Sequence, residues 1–142
     1  MKSKERVHKG ILDTSTLISL CRIEDPSILP EEPMITTITR AELSVGPLIA
    51  QNKIERVKRQ AHLQQAEADF NPLPFDAQAA RTFGRVVATL KKQGRKATTR
   101  SYDAMIAAIA ISKELPIYTC NPNDFKGIDE LKVISVHVGT EL

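Results

Sequence analysis

Short apolar runs alternate along the chain with longer stretches whose apolar residues recur every three or four positions, which predicts strands separated by helices. Gly10-Ile-Leu-Asp13 reads as a short buried strand. Thr14-Ser-Thr-Leu-Ile-Ser-Leu-Cys21 then takes up helical spacing, with hydroxyl residues at its start. Pro26 to Pro33 is a proline-broken connection before the β-prone Met34-Ile-Thr-Thr37. The following helix is expected to open with Thr39 as N-cap, which puts Glu42 three residues on, in the capping-box position.

Asn52 to Asp69 carries Ile54, Val57, Ala61, Leu63, Ala66 and Ala68 among charged and amide residues, an amphipathic helix. Asp76 looks like the cap of another, running through Ala79, Phe83, Val86, Val87 and Leu90 until Gly94 ends it. Both read as cover for a core. The run from Ser101 to Ile111 is apolar almost all round and predicts a helix packed on several sides. Leu115-Pro-Ile-Tyr-Thr119 and Lys132-Val-Ile-Ser-Val136 complete the set as third and fourth strands. This order favours an α/β fold with a central, mainly parallel sheet flanked by helices on both faces. At 142 residues, with no repeat and no linker, the expectation is a single domain over residues 1–142.

Composition narrows the class. With 42% hydrophobic and 26% charged residues the chain is globular rather than disordered. No apolar run follows the charged start as in a secretory signal, and none approaches the roughly 18 residues of a membrane span, so a cytoplasmic protein without membrane contact is expected. Cys21 and Cys120 are then expected to be reduced, and neither has a second cysteine at zinc-binding spacing. The net charge of +3 is modest, but its distribution is uneven. Arg81, Arg85, Lys91, Lys92, Arg95, Lys96 and Arg100 fall between Ala77 and Tyr102 with no acid among them, a block that attracts polyanions.

The candidate chemistry lies in four acids at element junctions. Asp13 ends the first strand and Asp124 follows the third, which is where open α/β sheets build sites. Glu42 and Asp103 fall in the first turns of helices that right-handed crossovers bring to the same edge. Asp13 and Asp103 sit in strongly apolar sequence, where an unpaired charge would cost several kcal/mol. Each acid also has a local explanation: a capping box for Glu42, the helix dipole for Asp103, a turn for Asp124. Acids that converge require a cation, and oxygen-only ligation suits Mg²⁺ or Mn²⁺. His8, His62 and His137 share no ligand spacing.

In order, four segments resemble the PIN-domain ribonucleases, and in size and layout the VapC-type toxins of type II toxin–antitoxin systems. They are Ile11-Leu-Asp13-Thr-Ser-Thr-Leu-Ile, Thr37-Ile-Thr-Arg-Ala-Glu42-Leu, Tyr102-Asp103-Ala-Met-Ile-Ala-Ala-Ile-Ala and Thr119-Cys-Asn-Pro-Asn-Asp124-Phe. The resemblance implies a PIN-like α/β/α sandwich and carries the family's four acids onto Asp13, Glu42, Asp103 and Asp124 as catalytic and metal-holding residues. It implies Mg²⁺ or Mn²⁺ as cofactor, endonucleolytic cleavage of RNA, a homodimer and a cognate antitoxin partner. Thr119 and Asn121 match positions lining the metal pocket, with Thr14 and Ser15 beside the first acid. Many relatives carry a further acid just before the alanine-rich helix. Ala97-Thr-Thr-Arg-Ser-Tyr102 has none, so a second ion would be weakly held.

The basic residues Arg85, Lys91, Lys92, Arg95, Lys96 and Arg100 are then expected to contact RNA phosphates. The alternative is a non-catalytic PIN-like RNA-binding or scaffolding domain, against which the full set of four acids speaks. A receiver domain would need a lysine after a late strand, and Thr119-Cys-Asn offers none. A haloacid dehalogenase-type phosphatase would need a second Asp after Asp13, and no GxxxxGK[ST] loop is present.

Overall fold

A computed structural model of the protein describes residues 6–95 and 101–139. Within them, four strands form one sheet in the order β2-β1-β3-β4, every neighbour parallel: β1 (Lys9–Leu12), β2 (Glu32–Met34), β3 (Ile117–Thr119) and β4 (Val133–Ser135). Five helices accompany it: α1 (Thr14–Ile18), α2 (Thr37–Val45), α3 (Lys53–Asp69), α4 (Ala77–Lys92) and α5 (Ser101–Lys113). Because strand side chains alternate, consecutive residues feed opposite faces. Ile11 and Ile117 join the core made with α4 and α5, whereas Leu12 and Tyr118 join the one that holds Leu17 of α1, Leu43 of α2 and Ala66 of α3. The result is the expected α/β/α sandwich.

α5 is apolar all round because it is covered on several sides: Ala104 and the run Ile106 to Ala110 are buried. It packs along α4, and also touches α2 and the 3₁₀ turn Pro122–Phe125.

The first helix ends at Ile18 rather than Cys21 and β3 and β4 are shorter than expected, while the boundaries of β2 and α2 shift together for one reason. The second strand is Glu32–Met34 rather than Met34–Thr37, paired in register with Lys9 to Ile11. Pro33 is tolerated because β2 is an edge strand. Ile35 and Thr37 instead bond to Leu73: the Thr37 N–H donates to the Leu73 carbonyl, and the Leu73 N–H to that of Ile35, both at 2.9 Å. This pulls the start of α2 upstream. Thr36, not Thr39, is its N-cap and accepts the Thr39 N–H at 3.2 Å. Glu42 therefore lies in the second turn, and the capping-box reading of it is withdrawn.

Candidate active site

The strand order places a topological switch between β1 and β3. The chain leaves β1 toward β2 on one side, while β3 lies on the other, so a crevice opens outside their carboxyl ends. Asp13 follows β1 directly and caps α1, accepting the Thr16 N–H at 2.9 Å. It is 4% exposed, so its carboxylate must find donors within the protein. It does so symmetrically. Ser15 Oγ donates to Oδ1 at 2.8 Å and Thr119 Oγ1 to Oδ2 at 2.6 Å. Each hydroxyl in turn accepts a backbone N–H from the exit of β3, Cys120 onto Ser15 at 3.3 Å and Asn121 onto Thr119 at 3.0 Å. Thr16 adds a bond from its hydroxyl to the Tyr118 carbonyl at 2.9 Å. The charge that the sequence leaves in apolar surroundings is thus met by hydrogen-bond donors, two of them local and the third, Thr119, 106 residues away.

Glu42 faces the same corner. Thr14 Oγ1 lies 2.8 Å from its Oε1 and 3.0 Å from the hydroxyl of the buried Thr39. Burial raises the Glu42 pKa above its ordinary value, the Thr14 hydrogen bond lowers it, and the negative charge of Asp13 raises it further. Asp13 accepts three hydrogen bonds and keeps acceptor capacity for a cation, and the raised pKa makes the same physical case at Glu42. Thr14, Ile18, Glu42, Leu43, Gly46, Arg59 and His62 line a cleft of about 210 Å³ beside this pair.

Asp103 lies half-buried in the first turn of α5, as expected, and Asp124 half-buried in the 3₁₀ turn after β3. The elements bearing the acids abut in series: α1 on α2, α2 on α5, α5 on the 3₁₀ turn. Among the described residues, no three His, Cys, Asp or Glu side chains come close enough to hold a metal ion in common. Asp13 and Glu42 are brought together, and the four acids are not a preformed cage. The donors at the corner are all oxygen, which fits a hard, largely hydrated divalent cation. Thr14, Ser15 and Thr119 are where the sequence pointed, and act by orienting the acids. Asn121 contributes its backbone N–H and leaves its side chain exposed. Thr16 and Thr39 were missed as supports; the only signal was a surplus of hydroxyl residues around each acid.

The basic block divides. Lys91 and Lys92 are exposed at the end of α4. Arg85 is paired with Glu130 at 3.2 Å, and Arg95 donates to the Lys126 carbonyl, so both are engaged within the protein. Lys96 and Arg100 lie outside the described residues.

Comparison with known proteins agrees with this geometry. The PIN domain profile matches residues 11–131. Ribonuclease VapC5 of Mycobacterium tuberculosis is 38% identical over 84% of this chain and 87% of its own length. The chain belongs to the VapC branch of the PIN-domain family. Ribonuclease VapC1 of Rickettsia felis is 32% identical over 89% of the chain and 95% of its length. The crystal structure of the VapBC-5 toxin–antitoxin pair from M. tuberculosis superposes with a TM-score of 0.78 at 35% identity, covering 90% of this chain and 98% of that one. In this chain Asp13 stands at the switch of the parallel sheet. No helix among its described residues is long and apolar enough to cross a membrane.

Proposed function

We infer that this VapC-family chain is an endoribonuclease dependent on Mg²⁺ or Mn²⁺, acting as the toxin of a toxin–antitoxin pair. The observation that carries the reading is the Asp13–Glu42 pair at the sheet switch, one carboxylate immobilised by three donors and the other held above its usual pKa. Asp13 and Glu42 would hold the cation, with Asp103 and Asp124 reaching it directly or through water. The bound cation supplies positive charge against which negative charge develops on the phosphodiester. Asp13 is fixed in orientation by Ser15, Thr16 and Thr119, so little reorganisation accompanies binding. Glu42, fixed by the Thr14 hydroxyl, would hold the cation through one oxygen and could orient the attacking water with the other. Lys91 and Lys92 would bind RNA phosphates.

The antitoxin reading is supported by relatives crystallised as VapBC pairs and by an uncovered apolar face. Leu48 and Ile54 are 85% and 84% exposed, beside exposed Val45, Ile49 and Val57. Exposed apolar surface of this kind marks an interaction site. An amphipathic antitoxin helix laid on α3 would cover it. A homodimer is proposed with it, to be checked by light scattering of the purified chain.

The separation of the four acids favours one rival, a non-catalytic RNA-binding domain. The test is to incubate RNA with the wild type and with Asp13→Asn, with and without Mg²⁺, and to map the new ends. Cleavage by the wild type in Mg²⁺ alone is expected. Cutting that survives both the substitution and chelation would refute the mechanism; binding without cutting would favour the rival.

A further inference from the structure

We propose that Gln93 and Arg95 form a clip that positions the Asp124 turn, making them positioning residues for the acidic site rather than RNA contacts. α4 ends in a Schellman motif: the Gly94 N–H bonds to the Lys91 carbonyl and the Arg95 N–H to that of Leu90, both at 3.0 Å, with Gly94 at φ +75°. The motif turns the chain back and aims two long side chains across the molecule. Gln93 Nε2 donates to the Gly127 carbonyl at 3.0 Å, and the Arg95 guanidinium donates to the carbonyl of Lys126. These two acceptors are the first carbonyls but one beyond Asp124 and its successor Phe125, at the exit of the 3₁₀ turn.

The turn is thereby held at both ends. At its entry, the Asn121 N–H bonds to the Thr119 hydroxyl that itself donates to Asp13. Phe125, its last residue, is anchored in the α4–α5 core, and the clip holds the chain just beyond it. Gly127 makes the clip possible twice over. Its φ of +89° suits glycine, and a Cβ there would overlap the Gln93 amide oxygen. One N–H of the guanidinium is thereby committed to a backbone carbonyl 31 residues away in sequence.

The proposal rests on Asp124 as a site residue, and its test separates the two. Amide hydrogen exchange at Asp124 and Lys126, Mn²⁺ titration calorimetry and RNA affinity without metal are compared for the wild type, Gln93→Ala/Arg95→Ala, Arg95→Lys and Gly127→Ala. Expected are faster exchange at both amides in the double variant and in Gly127→Ala, Mn²⁺ binding weakened about tenfold as for other outer-shell partners, unchanged RNA affinity and recovery in Arg95→Lys. Unchanged exchange would overturn the clip. So would loss of RNA affinity with a flatter salt dependence and intact Mn²⁺ binding, the signature of a phosphate contact. A lowered melting temperature with neither exchange nor Mn²⁺ binding altered would reduce Gln93 and Arg95 to stabilising residues and overturn the proposal too. A wild type that binds no Mn²⁺ would refute the metal-site reading instead, while the exchange result still decides the clip.

Discussion

α3 and α4 arise from the same kind of sequence, an amphipathic stretch of similar length, and end in opposite circumstances. α4 buries Ala79, Thr82, Val86 and Leu90, one stripe turned onto α5 and the sheet. α3 buries Ala66 alone near its far end, and leaves Ile54 and Val57 in solvent. Periodicity reports that a helix has an apolar stripe; it does not report what covers it. For α4 the cover is the chain itself. The expectation that both helices serve as core cover holds for α4 and fails for the first half of α3.

The largest effect that would break this contrast is on association. Ile54→Glu with Val57→Glu should weaken binding of the cognate antitoxin about 100-fold or more, as for central interface anchors, while leaving thermal stability nearly unchanged. Calorimetric titration against melting curves checks both halves. On the other helix, Leu90→Ala should lower unfolding free energy by about 2–5 kcal/mol, read by urea denaturation, because it opens a cavity in packed core. If Ile54→Ala costs as much, α3 is core after all and the comparison fails.

A third, smaller effect concerns the cleft between α2 and α3, where Glu42 and His62 titrate abnormally. The Glu42 pKa is raised, chiefly by burial and also by Asp13, so the folded state holds its proton more tightly than the unfolded one. Its contribution is present in full below the ordinary value of 4.5 and is lost as pH rises through the raised folded pKa. Burial and Lys58 lower the His62 pKa, so its term has the opposite sign: stability falls as pH drops below 6.5 toward the lowered value. Glu42→Gln should therefore raise the melting temperature at neutral pH in chelator, with the gain disappearing below about pH 4.5. Added Mn²⁺ should stabilise the wild type and not this variant.

The smallest effect distinguishes residues along α4. Lys91→Ala with Lys92→Ala should cut RNA affinity a few-fold and flatten the slope of log K against log salt by about 1.4, two phosphates' worth for single strands. Arg85→Ala, already paired with Glu130, should leave the slope unchanged.

The fold was largely legible because strands and helices advertise their periods, and the buried runs at Ile11, Ile106 to Ala110 and Ile117 declare the core. The helix start at Thr36 was not, since hydroxyl residues at 36, 37 and 39 are equally good caps and the choice was made by a backbone pairing with Leu73. For the site, Asp13 could be read from its strand-end position. The donors that satisfy it could not, because Thr119 is 106 residues away. The partner of Arg95 was illegible for a related reason: charge is visible in sequence, and the Lys126 carbonyl to which it donates is not.

That long reach also bears on synthesis. The hydroxyl that orients Asp13 belongs to β3, and the backbone N–H groups that lock both relays belong to Cys120 and Asn121. A nascent chain that has released only its first hundred residues carries Asp13 and Glu42 with their local donors Ser15, Thr16 and Thr14, but lacks the Thr119 bond to Asp13 and both Asp103 and Asp124. The corner around Asp13 can therefore be completed only once β3 has been made and has paired with β1.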